Sequence, residues 1–483
     1  MSGPIAREVS HIDTDFTLVI DGESATGSGT LDVINPATGQ VFARCPAASR
    51  DDLDRAVGAA RRAFPAWRDR AYADRAAIIG LLCQALRERR QELAYLLTME
   101  QGKPLRQSED EITRAATQSE GLTRIAILPQ VLEDTDERRI ELQFFPLGVA
   151  GIITPWNAPI NLAAGPLTSA LYTGNTVVLK PAPTTPLSTL RIGQIARELF
   201  PPGVVNVLAG GDDLGRWMTE HPGIDKIAFT GSVESGKAVM AAAASTLKRV
   251  TLELGGNDAA IVLDDVDPRA IAAKLFFAAF VNSGQVCMAI KRIYAHERIY
   301  AALCDALADE AGKAKVGSGL DPDTQLGPIQ NREQYNRVVG LLEETKQSGA
   351  RILAGGVVPA GGGFFVTPTI VADVADDSRL VREEQFGPIV PVLKFSDERD
   401  ALRRANDTRY GLSGSVWSAD PERAARLAAR LEVGTAWVNQ HRATSATVPF
   451  GGVKESGIGR VYSEMGLKEY LDARVVSVLK RTG

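Results

Sequence analysis

From Gly148 onward, short apolar runs alternate with helical segments, and this rhythm limits the fold more than any other feature. The runs are residues 150–154, 176–180, 204–208 and 226–230, and the helical segments between them are 162–171, 187–199 and 214–219. Short, uniformly apolar runs read as strands buried on both faces. Strand, helix, strand in series builds a parallel, doubly wound sheet. Such a sheet takes its ligand beyond the carboxyl ends of its strands. After Glu253 the alternation restarts: strand 259–263, a helix from Pro268, strand 288–295, then helices 299–314 and 333–348. A second α/β unit is therefore expected from near residue 253. The segment 316–331 is rich in Gly, Asp and Pro without periodicity and reads as a loop. A chain of 483 residues has room for two or three such domains.

Ahead of Gly148 the pattern is mixed. Residues 17–20 and 34–41 read as short strands around Gly and Pro turns. Ser49 and Asp52 form a capping signal, followed by Leu53, Val57, Ala60 and Phe64 at helical spacing. One longer helix is expected through Ile78, Leu82, Leu86, Leu93 and Leu97, with the basic cluster 87–90 on its wet side. Glu100-Gln101-Gly102-Lys103-Pro104 stops it. Ser108 with Glu111 opens the next helix, which runs to about Ile127. Ile140, Leu142 and Phe144 alternate with polar neighbours, the mark of a half-buried strand apart from the main sheet. Such a strand is an edge that asks for a partner.

Composition excludes several classes. Net charge is −5 and no Lys/Arg block appears, which argues against nucleic acid or an anionic membrane as partner. No apolar run approaches the roughly 18–20 residues of a membrane span. Met1-Ser2-Gly3-Pro4 opens without a basic-then-apolar pattern, so no secretory signal is expected. Cys45, Cys83, Cys287 and Cys304 are scattered and include no C-x-x-C, which suits a reducing, cytoplasmic setting. With only His11, His221, His296 and His441 to choose from, no metal centre is expected.

Three side chains carry the candidate chemistry. Cys287 follows an apolar helix and the polar turn Asn282-Ser283-Gly284, so its thiol is presented in a loop. A buried cysteine is usually an inert small hydrophobe, and Cys45, Cys83 and Cys304 fit that description. Cys287 does not, and as a thiolate it could attack a carbonyl carbon. Glu253 stands in the apolar run 250–254 before Gly255-Gly256. A carboxylate there is costly unless it is ion-paired or used, and burial should lift its pKa toward that of a general base. His441 could compete for that role if it faced the thiol. Asn157, in Pro155-Trp156-Asn157-Ala158-Pro159, is either a turn former or an amide that, with the Cys287 N–H, holds an oxyanion. The stretch Gly231-Ser232-Val233-Glu234-Ser235-Gly236-Lys237 nearly spells a phosphate-binding loop. Ala238 replaces the required hydroxyl, and a nucleoside-triphosphatase reading is set aside.

At these residues the sequence resembles the aldehyde dehydrogenase superfamily, over nearly the whole chain. The resemblance implies two Rossmann-like units and a β-arm: residues 1–136 with 147–252 for the dinucleotide, 253–467 for catalysis, and 137–146 with 468–483 for oligomerisation as a homodimer or homotetramer. It implies oxidation of an aldehyde to a carboxylic acid with NAD or NADP. Cys287, Glu253 and Asn157 would be catalytic. Trp156, Lys180, Ala182, Gly210, Thr230, Gly231, Ser232, Leu254, Gly255, Glu384 and Phe386 would meet the cofactor, with Phe-Thr-Gly-Ser opening a helix toward the pyrophosphate. Relatives that prefer NAD often carry Glu where Pro183 stands, so the choice of dinucleotide stays open with a lean to NAD. Asn257 stands where many relatives have Lys. Pro449-Phe450-Gly451-Gly452-Val453-Lys454-Glu455-Ser456-Gly457 matches a motif that closes the catalytic domain. The substrate pocket would be lined by Asn161, Gly165, Val286, Met288, His441 and Arg442. Ala158 and Gly165 suggest room for a bulky aldehyde, and Arg442 either recognises a carboxylate or points to solvent. The alternatives are a coenzyme-A-acylating dehydrogenase, which would pass the thioester to a thiol, and a non-catalytic binding or structural member of the fold.

Overall fold

The computed structural model describes residues 14–480. Residues 1–13 and 481–483 lie outside the described residues, and with them His11, the N-terminal reading and both chain ends of the expected domains.

The first sheet has eight strands. From edge to edge they are Gly457–Ile458, Arg249–Glu253, Lys226–Thr230, Val149–Ile153, Thr176–Lys180, Val205–Val207, Leu18–Ile20 and Glu23–Ala25. The five strands from Arg249–Glu253 to Val205–Val207 are mutually parallel. Val149–Ile153 and Thr176–Lys180 are buried at every position, as two-faced burial under helices requires. The chain builds outward from Val149–Ile153 to Val205–Val207, then crosses to Lys226–Thr230 on the other side. That reversal opens a crevice at the carboxyl ends of Val149–Ile153 and Lys226–Thr230. Residues Thr154 to Asn157 leave one lip and Gly231-Ser232 the other.

The second sheet has seven strands: Arg351–Ala354, Thr369–Ala372, Ile389–Phe395, Ile290–His296, Asp258–Val262, Ser413–Trp417 and Thr435–Val438. All but the Arg351–Ala354 edge run parallel. Helices cover both faces of each sheet and fill separate apolar cores. The two sheets are the Rossmann-like units expected. A three-stranded antiparallel arm stands apart: Leu471–Leu479, Arg138–Pro146 and Gln130–Asp134. Among the described residues no helix is long and apolar enough to cross a membrane.

Several local readings are corrected. Residues 34–41 are not one strand but the turn of a hairpin, Gly29–Asn35 with Gln40–Ala47, reversed where Gly39 takes φ +71°. The helix expected through Ile78 and Leu97 is two, Tyr72–Glu88 and Arg90–Gln101, broken at Arg89. Both bury leucines at the same spacing, so the apolar rhythm crosses the break unchanged. The next helix opens at Leu105, straight after Pro104, and ends at Leu122 rather than near Ile127. Ser108 and Glu111 lie buried inside it instead of capping it. The arm also takes in Gln130–Asp134, a stretch first grouped with residues 1–136. Its strand pairing depends on a partner far along the chain, which local pattern does not show.

Candidate active site

Cys287 is presented by a loop with little freedom. The helix Pro268–Phe280 ends in three left-handed residues, Asn282 (φ +52°), Ser283 (φ +55°) and Gly284 (φ +74°). Gly284 has no alternative: a Cβ there would stand 2.3 Å from the Gly387 carbonyl oxygen. Gln285 fixes the turn by donating Nε2 to Asn282 O at 2.9 Å and accepting from Gln330 N at 2.8 Å. Lys291 Nζ donates to the carbonyls of Val286 (2.8 Å) and Cys287 (2.5 Å). Val286, Cys287 and Met288 remain half-buried, so the thiol can be reached.

Asn157 is brought to this loop by two residues whose local setting suggested only helix punctuation. Its buried amide donates Nδ2 to Gln285 O at 2.9 Å, two residues before Cys287. Its carbonyl accepts from Lys103 Nζ and from Asn282 Nδ2, each at 2.9 Å. Lys103 is ion-paired with Glu111, both almost fully buried. The same Glu111 carboxylate accepts from the N–H groups of Ile160 (3.0 Å) and Asn161 (3.1 Å), at the start of the helix Pro159–Tyr172. A carboxylate there satisfies otherwise unpaired donors and complements the helix dipole.

Glu253 ends its strand with only 8% of its surface exposed, and its Oε1 makes no hydrogen bond among the described residues. The two glycines after it are places where other motifs press close. A Cβ at Gly255 would lie 2.2 Å from the Glu384 carboxylate, and one at Gly256 would lie 2.7 Å from Cys287 O. Gly256 N donates to Glu384 at 3.1 Å, and Ser456 Oγ donates to Gly255 O at 2.6 Å. Gly457 pairs with Glu253, which ties the motif at 449–457 to this strand. Asn257, the departure from related sequences, bonds locally: Nδ2 donates to Val381 O at 2.8 Å, and its carbonyl accepts from Arg292.

The electrostatics are set by desolvation. Burial pushes the Cys287 thiol up to about 12; Lys291 opposes this, and Glu384, Glu253 and Asp258 add to it. A sulfur raised in this way needs a base to take its proton before it can attack as a thiolate. Burial also raises Glu253 well above the usual carboxylate range, with Arg460 opposing and Glu469 adding. Glu384 is raised by burial and restrained by Lys291, whose Nζ lies 3.5 Å away.

The crevice at the sheet's reversal gathers the remaining residues. Lys180 is buried at its strand end, its pKa lowered to about 8 by desolvation, and its ammonium donates to its neighbour's carbonyl, Pro181 O, at a long 3.3 Å. Such a poorly paired ammonium suits a ligand's hydroxyls. Ala182 is buried beside it. Gly210 has no room for a Cβ beside Leu214 (2.6 Å), nor has Gly231 beside Phe229 (2.4 Å). Thr230 ends its strand, and Ser232 caps the helix Val233–Ala243, whose N–H groups open on the crevice. Leu254 packs over Gly236. Trp156 and Phe386 meet edge to face at 5.2 Å, joining the Asn157 segment to the Glu384 loop. These features fit a dinucleotide.

On the substrate side, His441 is buried and no rival base. It bonds Ser415 Oγ at 2.9 Å and Met288 O at 3.1 Å, and burial lowers its pKa. Arg442 is half-buried: its Nε is buried without a hydrogen-bond partner among the described residues, and its guanidinium lies over the exposed Phe277 ring at 5.6 Å. Asn161 is held by Glu111. The room expected beside Gly165 is taken by Tyr462, whose ring lies 3.5 Å from where a Cβ would stand. Tyr462, Lys103, Glu111 and Lys291 were missed because each is defined by a partner distant in sequence. A buried Lys-x₇-Glu spacing ahead of the Asn157 motif was the one available hint.

The aldehyde dehydrogenase family profile matches residues 23–476. The chain is 37% identical over 473 residues to DhaS of Bacillus subtilis (strain 168), covering 95% of each. Its fold superposes on an NAD+ complex of aldehyde dehydrogenase from Bacillus cereus with a TM-score of 0.95, 36% identity and 99% of both chains covered. Betaine aldehyde dehydrogenase from Staphylococcus aureus in complex with NAD+ gives 0.95 and 32% identity, over 99% of this chain and 97% of that one. With Cys287, Glu253 and Asn157 gathered below a dinucleotide crevice, these likenesses lead to one conclusion: the chain belongs to the aldehyde dehydrogenase family and is an NAD(P)-dependent oxidoreductase.

Proposed function

We propose that the chain oxidises an aldehyde to a carboxylic acid through a covalent intermediate on Cys287. The Cys287 thiol gives its proton to Glu253 as sulfur bonds the carbonyl carbon. The Asn157 amide and the Cys287 N–H hold the oxygen that becomes negative, a contribution of about 3–4 kcal/mol per donor in comparable sites. Trp156, Glu384 and Phe386 would hold a nicotinamide able to accept the hydride released from the former aldehyde carbon, and what remains on the Cys287 sulfur is a thioester. Glu253 passes that first proton to solvent and then takes one from water; the hydroxide adds to the thioester, the C–S bond breaks, and Glu253 returns its proton to the sulfur as the acid leaves.

The strongest support is the contact between Gly256 and the Cys287 carbonyl. It seats the end of the Glu253 strand against the nucleophile's loop. The unpaired Glu253 Oε1 is an acceptor ready for a water or thiol proton. Lys180, Ala182, Gly210, Thr230, Gly231, Ser232, Leu254 and Gly255 are the proposed dinucleotide contacts, with Trp156, Glu384 and Phe386 at its nicotinamide end. NAD is the proposed form, because Asp212 acts on Lys180 and would oppose a 2′-phosphate there. The arm exposes Val131, Leu132, Phe145, Val475, Val478 and Leu479, which supports self-association of copies of this chain. The four free thiols suit the cytoplasm.

Purified protein given aldehydes with NAD or NADP tests the reading. Reduced cofactor and free acid should form in equal amounts, faster with NAD. Acyl-CoA formed on adding coenzyme A, with no free acid, would replace hydrolysis by acyl transfer.

A further inference from the structure

Arg442 is costly where it stands. It takes a left-handed backbone (φ +68°), which non-glycine residues adopt rarely. Its Nε is buried without a hydrogen bond, and among the described residues no carboxylate pairs with it. Its place is fixed by its neighbour: His441 is bonded to the carbonyl of Met288, the residue after Cys287. A second cation approaches from the helix Leu105–Leu122. Arg114, Gln118 and Gly121 share one face of that helix. Gln118 donates to Thr444 Oγ1 at 3.4 Å, and Gly121 leaves a Cβ only 2.5 Å from the Ala446 side chain, so this face abuts the Arg442 loop. Arg114 is exposed and also lacks a carboxylate partner among the described residues. Arg442 is held down to about 10 by burial first and by Arg114 second. Two guanidinium groups without a carboxylate partner among the described residues, on segments that meet next to the Cys287 loop, would be stabilised by an anion that enters with the substrate.

We propose that Arg442 and Arg114 form a carboxylate-binding subsite, so that the preferred substrates are ω-oxo carboxylic acids, aldehydes whose far end is anionic. The inference rests on the aldehyde-oxidising reading above. Aldehydes with a cationic tail, betaine aldehyde among them, should be disfavoured by the same two side chains.

The test compares 4-oxobutanoate with butanal and 5-oxopentanoate with pentanal, using the full chain and NAD. The oxo acid should exceed its neutral partner in kcat/KM by about tenfold or more. Arg442→Gln should collapse that ratio through KM, Arg442→Lys should keep part of it, and Arg114→Gln should lower it less. A readout without turnover is alkylation of Cys287 by iodoacetamide. Glutarate should slow it in the wild-type protein and not in Arg442→Gln. Neutral aldehydes oxidised as well as oxo acids, or a ratio unchanged by Arg442→Gln, would overturn the subsite and leave the activity standing. Oxidation of no aldehyde at all would overturn both.

Discussion

Lys103 donates its Nζ proton to the Asn157 carbonyl at 2.9 Å while ion-paired with Glu111 in the interior. The pair holds the backbone of Asn157, the proposed oxyanion donor, and, through Glu111, the first turn of the helix behind it. Removing one partner leaves an uncompensated buried charge, at about 3–5 kcal/mol. Lys103→Met and Glu111→Gln should each lower kcat about 10–100-fold through misplacement of Asn157. Dinucleotide affinity, measured by fluorescence titration, should change little. Wild-type kcat in both variants would show that Asn157 is held without them.

Cys287→Ser should reduce turnover at least about a thousandfold, since a hydroxyl is a far weaker nucleophile in the same place. Cofactor titration should still saturate. Turnover near the wild-type rate would remove Cys287 from the mechanism.

Glu253→Gln should lower kcat at least about a hundredfold, because the thiol proton and the water proton both lose their acceptor, and should also change stability. The folded-state pKa of Glu253 is raised above its unfolded value by burial. Its penalty is therefore absent below the unfolded pKa and grows as pH rises toward the folded one. The Tm gain of Glu253→Gln over wild type should be larger at about pH 9 than at about pH 5. A gain that shrinks with rising pH would contradict the desolvation account.

The Cys287 thiol, pushed up to about 12, should react with iodoacetamide slowly at neutral pH in the cofactor-free protein. The rate should climb roughly tenfold per pH unit through the alkaline range without a plateau. Lys291→Met should slow it further, because Lys291 is the group that favours the thiolate. A plateau near neutrality would mean the sulfur is already ionised.

Gly256→Ala would drive a methyl to 2.7 Å from the Cys287 carbonyl and 2.9 Å from the Leu412 side chain. Overpacking of this kind costs about 1–3 kcal/mol, and the displaced loop should lower kcat about a hundredfold. Folded protein with normal kinetics would argue that the loop can give way.

How much was legible in advance depended on the distance between partners. The parallel sheets could be read from runs such as 176–180, because a strand buried on both faces must be apolar throughout. Cys287 could be singled out by its turn, Glu253 by its apolar strand and Asn157 by its motif. The break at Arg89 could not, since the leucine spacing continues across it. Nor could the filling of Gly165's space by Tyr462, which lies almost 300 residues further along the chain.

The order of apolar and polar residues determined two doubly wound sheets, because these follow from periodicity, and local turns together with the family's motifs singled out three candidate side chains. Only the tertiary structure decided that Lys103 and Glu111 hold Asn157, that burial raises the Cys287 thiol, and that the Arg442 Nε is buried without a partner among the described residues. Those properties arise from burial and from contacts between distant segments, and no local stretch of sequence contains them.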